Sequence, residues 1–235
     1  SKIFVANKED QSLVTELDLR INDYFRHHFL SDIQSGHCTF FSEEDKSGGL
    51  HFPALILDPI DGTREFARGV PECAVSFSYA FSSQLTDKRN ISWIFNPFNR
   101  IEASSFGKTH SSHPSIKRPL LGLVSLSEWE EELGSRTSWH QKLMSKGIMI
   151  HPVGSIAYKL GLLSLGLGDF VVTFRQKHLW DIFAGTHLLL SQGWVCYYQG
   201  RLLTSLTDIL LHPPILWCRP DKVDQLQEAL GLGLS

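Results

Sequence analysis

No apolar run in this 235-residue chain reaches the roughly 18 residues needed to cross a bilayer, so no stretch reads as a membrane helix. The start, "SKIFVANKED", lacks the long apolar core of a secretory signal. Basic charge is not in excess: 22 Lys and Arg stand against 25 Asp and Glu, a net charge of −3. That balance argues against broad binding to nucleic acid, which needs a basic face. Cysteine is sparse. Cys38, Cys73, Cys196 and Cys218 are widely separated and no CxxC pair occurs, so neither a zinc knuckle nor a thioredoxin-type pair is suggested. Reduced, mostly buried thiols in a cytoplasm are the expectation. The glycine-rich "LGLLSLGLGD" (160–169) lacks GxGxxG spacing and follows a helix rather than a strand, which speaks against a dinucleotide site. There is no internal repeat and no low-complexity tract.

What is present reads as an ordinary globular protein, with 42% hydrophobic and 20% charged residues. Leu17, Ile21, Tyr24, Phe25 and Phe29 recur at helical spacing behind Thr15-Glu16-Leu17-Asp18, a capping-box pattern with Asp at its last position. A helix over about 16–30 follows. "HCTFFS" (37–42) predicts a short strand, and "ALIL" (54–57) a buried one. "ECAVSFSYAFSS" (72–83), "ISWIF" and "IEASSF" predict an antiparallel meander. The polar, irregular stretch 107–119 suggests a boundary between an N-terminal subdomain (1–110) and a C-terminal one (111–235). Beyond it, Ser127-Glu128-Trp129-Glu130 has capping-box spacing and predicts the opening of a helix. "GIMIHPV", "FVVTF", "WVCYY" and "PILWC" read as strands. "GSIAYKLGLLSLGLGD", "WDIFAGTHLLLSQG" and "RPDKVDQLQEALG" contain helices. Strands and helices therefore mix throughout, as in layered α/β folds. The aromatics Trp93, Trp180, Trp194 and Trp217 lie in apolar runs and suit a core better than a base-stacking platform. Lys159 reads as a solvated helix lysine or as a group facing a substrate phosphate.

Acids gather beside turns at Asp18, Glu43-Glu44-Asp45, Asp58/Asp61 and Asp181. Singly, each has an ordinary reading: a capping box, a solvated charge cluster, two turn dipeptides, a helix N-cap. Together they suggest more. Asp58 and Asp61 end a strand of hydrocarbon side chains, where like charges repel and each carboxyl tends to stay protonated. A divalent cation removes that penalty, and hard oxygen ligands favour magnesium or manganese. Next to the acids, Gly62 lets the backbone approach a ligand closely, and the free N–H groups at the start of "TREFAR" can hold a phosphate oxygen. Carboxylates for metal beside N–H groups for phosphate suit a metal-assisted phosphoryl hydrolase.

"DPIDGT" (58–63) resembles the signature of the inositol monophosphatase family, magnesium-dependent and lithium-sensitive phosphatases that include a 3'(2'),5'-bisphosphate nucleotidase branch. "LVTELD" (13–18), "SEED" (42–45), "GSIAYKL" (154–160) and "LWDIFAG" (179–185) are similar to its further motifs and stand in the same order. The resemblance implies an α/β (α+β) layered αβαβα sandwich of the inositol monophosphatase and sugar phosphatase type, with its site at the junction of two subdomains. It implies that Glu43, Asp58 and the Ile60 carbonyl bind one Mg2+, and Asp58, Asp61 and Asp181 a second. Two or three Mg2+ in all are expected, with Mn2+ as a substitute. It further implies that Gly62 and Thr63 hold phosphate, that Thr63 paired with Asp18 activates water, and that Gly154, Ser155 and Ala157 line the substrate. The expected partner is a small phosphate monoester, with a homodimer as the family's assembly. Adenosine 3',5'-bisphosphate is the alternative substrate, and a non-catalytic homologue that binds a ligand or partner is the alternative class. Three departures stand out. Only fourteen residues precede Thr15, where the family has a long helix, so the N-terminal helix is shortened. Phe174 stands seven residues before Asp181, where inositol-type enzymes carry a glutamate. "DGTREF" is closer to the nucleotidase branch.

Overall fold

The computed structural model describes residues 5–7, 13–107, 118–134 and 136–232. Ahead of the first helix, β1 (Val5–Asn7) pairs antiparallel with β2 (Leu13–Thr15). Thr15 then caps α1 (Glu16–His28) through a reciprocal capping box with Asp18. The helix breaks at Phe29 and resumes briefly as α2 (Leu30–Gln34).

A five-stranded sheet follows, in the order β3 (Thr39–Ser42), β4 (Ala54–Asp61), β5 (Ala74–Ala80), β6 (Ile91–Phe95) and β7 (Glu102–Ser104). The pair β3–β4 is parallel, and the others form the expected antiparallel meander. Between β4 and β5 lies the short α3 (Thr63–Ala67). Strand alternation assigns each face. Leu55, Leu57, Val75 and Phe77 turn outward and receive Ile21, Phe25, Phe29 and Ile33 of the first two helices. Ala54, Ile56, Ala74 and Ala80 turn inward with the buried Ser76 and Ser78. That inner face of β5 is all small residues, so a helix can lie close against it.

The second sheet has six strands: β8 (Leu120–Val124), β9 (Ile148–Pro152), β10 (Phe170–Thr173), β12 (Val195–Tyr198), β13 (Arg201–Leu202) and β15 (Ile215–Cys218), ordered β13-β12-β15-β10-β8-β9. A separate ribbon pairs β11 (Lys177–His178) with β14 (Leu210–Leu211). Two helices, α6 (Ile156–Ser164) and α7 (Leu179–Ser191), lie between the two sheets. Both are buried on nearly every side. They approach closely at Gly185, where a methyl group would fall 2.4 Å from Leu160 Cβ. The outer face of the second sheet is covered by α4 (Leu126–Leu133), α5 (Arg136–Ser145) and α8 (Val223–Leu230), around Trp129, Trp139, Phe170 and Leu226. The layers are thus helix, sheet, helix, sheet, helix.

Two local expectations are corrected. Ser125, not Ser127, precedes α4, and Glu128 caps nothing: it points into the core and is 5% exposed. Asp181 is not the N-cap of α7 but its third residue, in a reciprocal box with His178. The expected subdomain boundary at 110/111 lies outside the described residues. Among those described, no helix is long and apolar enough to cross a membrane.

Candidate metal and phosphate site

The central acids are set by how β4 ends. Regular pairing with β5 runs to Asp58–Ser76, skips, and resumes at Asp61–Ala74. Pro59 has no N–H to give to the ladder, and the irregularity it occupies re-aims the residues beyond it. Asp58 keeps the inward-facing parity of Ala54 and Ile56 and is 1% exposed. Glu43 is brought alongside because its N–H donates to the Leu57 carbonyl, continuing the β3–β4 pairing by one residue. After Asp61 the chain must turn at once. Gly62 does this at φ +89, and a side chain there would meet Glu72 O at 2.9 Å and Ser155 Cβ at 3.0 Å. Thr63 opens α3, and its hydroxyl donates to the Ile60 carbonyl at 2.9 Å.

The other half of the molecule grips Asp61 directly. Ser155 caps α6, accepting from Tyr158 N–H at 3.0 Å while its hydroxyl donates to Asp61 Oδ2. Ala157 N–H donates to the same oxygen at 2.5 Å. Gly154 N–H donates to Glu72 Oε2 at 2.8 Å, and a methyl group on Gly154 would strike Glu65 Cγ. Ser155 and Ala157 are therefore engaged with a carboxylate, and Gly154 with Glu72.

Asp181 reaches the site from α7, with its Oδ2 accepting from His178 N–H at 2.8 Å. Ser76 Oγ donates to the Trp180 carbonyl at 3.1 Å and ties this helix start to β5. Trp180 is stacked by the His178 ring at 4.5 Å, and Lys46, just past the Glu43–Asp45 acids, lies 4.7 Å over it. Asp18 Oδ2 takes both the N–H (2.8 Å) and the hydroxyl (2.5 Å) of Thr15.

Electrostatics join these acids. Burial, then Glu43, Asp61, Asp181 and Asp18 in turn, push the Asp58 carboxyl well above the ordinary carboxylate range. Burial and Asp61 do the same to Asp181. Burial also raises Asp61, against the bonds from Ser155 and Ala157 and the charges of Lys177 and Lys159. Asp58 Oδ1 is buried without a hydrogen-bond partner. An orphaned, desolvated oxygen among mutually repelling carboxylates fits a hard divalent cation. Among the described residues, however, no three His, Cys, Asp or Glu side chains already converge as a coordination sphere. Surface hollows of about 560 Å³ beside Arg20, Tyr24 and His27, and about 420 Å³ beside Tyr198 and Thr204, include none of the acids.

Sequence reasoning left Lys159 between two readings and missed Glu72 and Lys177. Lys159 is not solvated: it is 1% exposed, its Nζ donates to Gly154 O at 3.2 Å, and burial lowers its pKa to about 8. A lone lysine in the otherwise apolar "IAYKLGLLS" was the available signal. Glu72 and Lys177 carried none.

The pattern of the inositol monophosphatase family matches residues 2–213. This chain belongs to the inositol monophosphatase family. Its curated relatives include the Nus factor SuhB of Xylella fastidiosa, 26% identical over 71% of this chain and 62% of that protein. Inositol monophosphatase 2 of Rattus norvegicus is 26% identical over 78% of this chain and 67% of its own length. The chain thus spans roughly two thirds of these relatives. A solved inositol monophosphatase/NADP phosphatase, described as complexed with Mg2+ and phosphate, superposes with a TM-score of 0.75 at 15% identity, over 99% of this chain and 87% of that one. At that identity the likeness establishes the inositol monophosphatase fold.

Proposed function

We propose that this chain is a magnesium-dependent phosphatase of small phosphate monoesters. The observation that carries the reading is the orphaned Asp58 Oδ1, on a buried carboxyl that Glu43, Asp61, Asp181 and Asp18 all push upward. Family membership supports a phosphatase, and a fold relative described with Mg2+ and phosphate supports the cofactor. In this reading Glu43, Asp58 and the Ile60 carbonyl hold one Mg2+, and Asp58, Asp61 and Asp181 hold another. When bound, Mg2+ supplies an acidified water and offsets charge on the leaving oxygen. The N–H groups of Gly62 and Thr63 hold the phosphate. Thr63, in the proposed pairing with Asp18, orients the attacking water once its hydroxyl turns away from Ile60. Lithium inhibition and a homodimer belong to the same proposal, as does a cytoplasmic setting.

Two substrates compete. Phe174 packs edge-on against Trp129 at 5.8 Å, so position 174 offers no carboxylate to a sugar hydroxyl. The same contact is plain core packing, so an inositol or sugar phosphate stays the first substrate to test and adenosine 3',5'-bisphosphate the alternative. A second reading, a ligand- or partner-binding homologue without catalysis, is favoured by acids that do not yet converge and by a relative named as a Nus factor. Phosphate release from both substrate classes, with and without Mg2+, decides. Turnover that requires Mg2+ and is abolished in a folded Asp61→Asn chain is expected. No turnover of any monoester by the folded wild type would establish the second reading.

A further inference from the structure

Glu128, which lies between the two ends of the expected Ser127–Glu130 capping box, is the centre of a buried polar array. Its Oε2 accepts from the Thr173 hydroxyl at 2.8 Å and from Phe174 N–H at 3.3 Å, and its Oε1 pairs with Lys177 Nζ at 2.9 Å. The side chains of Lys177 and Glu128 are 12% and 6% exposed. All three donors lie on the short segment from β10 to β11 that leads into α7 and Asp181. Burial alone would raise the Glu128 carboxyl, but Lys177, Lys159 and these bonds hold it below the ordinary range, so it stays charged.

The position of Lys177 makes that pairing consequential. Asp181 Oδ2 accepts from His178 N–H at 2.8 Å, the peptide nitrogen directly after Lys177. Standard backbone dimensions then place this oxygen within about 5 Å of Lys177 Cα. A lysine stem is long enough to cover that distance with its ammonium. Lys177 is therefore a rival cation beside an acid that, under the proposed function, holds metal.

We infer that Glu128 is a positioning residue that tethers Lys177 away from Asp181 and so keeps the carboxylates open to a divalent cation. The inference rests on the phosphatase reading, because it assigns Asp181 to Mg2+. Lys177 bound to Asp181 would reduce the fraction of chains competent to bind Mg2+, and apparent affinity falls by that fraction.

The test is calorimetric titration of the metal-free full chain with Mg2+, with the fold of each variant checked by circular dichroism. Glu128→Gln weakens Mg2+ binding by about tenfold or more, and adding Lys177→Met to it restores binding to within about threefold of wild type. Glu128→Asp, which keeps the charge but withdraws it by one methylene, loses affinity in the same direction and serves where Glu128→Gln does not fold. Rescue by the second substitution separates a tether from a merely structural role, since it removes the remaining partner of the pair. Unchanged affinity in both Glu128 variants overturns the inference, as does a double variant as weak as the single one. A wild type that binds no Mg2+ overturns the phosphatase reading and this inference together, whereas a wild type that binds it equally with Glu128→Gln overturns this one alone.

Discussion

Asp58 sits under electrostatic strain, its carboxyl held well above the ordinary range by burial and neighbouring acids. It is fully buried, four carboxylates act on it, and one of its oxygens has no hydrogen-bond partner. A carboxylate in that position stabilises nothing until a cation arrives. Asp58→Asn is therefore expected to raise the thermal midpoint of the metal-free chain, by about 2–4 °C for each kcal/mol of repulsion relieved. Under the proposed function Mg2+ should raise the wild-type midpoint, and the same substitution should abolish that shift. Calorimetry with and without Mg2+ measures both effects, and a lower midpoint in the metal-free variant would contradict the account. Gly62 makes a contrasting residue-level case. Its positive φ and its closeness to Glu72 O leave no space for a Cβ, so Gly62→Ala should destabilise the chain by about 1–3 kcal/mol in chemical unfolding.

Among the elements, α6 and α7 depend on close approach. Gly185 faces Leu160 with no space for a methyl group. Gly185→Ala should cost about 1–3 kcal/mol of stability through overpacking, even though alanine is the better helix former. Equal or greater stability of the variant would show that the two helices can separate freely. Element identity was legible wherever the pattern was local. The hydrocarbon run before Asp58, the alternation in β5, and the box at Thr15–Asp18 all read directly. The helix α5 did not, because only Trp139 and Leu143 are buried in its described side chains, too few to mark a period. The role of Glu128 was not legible because its partners lie 45 to 49 residues away, beyond any local pattern. Within the candidate site, the acids could be nominated from turn residues and a buried strand. The grip of Ser155 and Ala157 on Asp61 spans 94 and 96 residues and exists only once both sheets are assembled.

For the whole molecule, the acid cluster sets a pH signature. Asp58, Asp61 and Asp181 have folded-state pKa values raised above their ordinary value of 3.8. Above 3.8 the native chain therefore binds more of these protons than the unfolded one, and stability falls as pH rises through the raised values. His187 acts in the opposite sense. Burial lowers its pKa below 6.5, so its contribution is present at neutral pH and is lost as pH falls below that value. Burial raises Glu65 in the same sense, so four carboxylates stand against one histidine; the metal-free chain should lose stability as pH rises from about 5 toward neutrality, and saturating Mg2+ should remove or reverse that slope. Thermal midpoints across this range, with EDTA and with Mg2+, check the sign. A metal-free chain that becomes steadily more stable toward pH 7.5 would show that the acids do not titrate as a repelling group.

The hold on Asp61 by the capping turn of α6 has one more consequence. A carboxylate from one sheet is kept in place by donors attached to the other, so the site acts as a gauge of how the two sheets are seated. A small slip between them would release Asp61 while each sheet kept its own hydrogen bonds. Heating should then silence the site some degrees before the fold is lost, and recovery on cooling should be fast, because only a docking step has to be repeated.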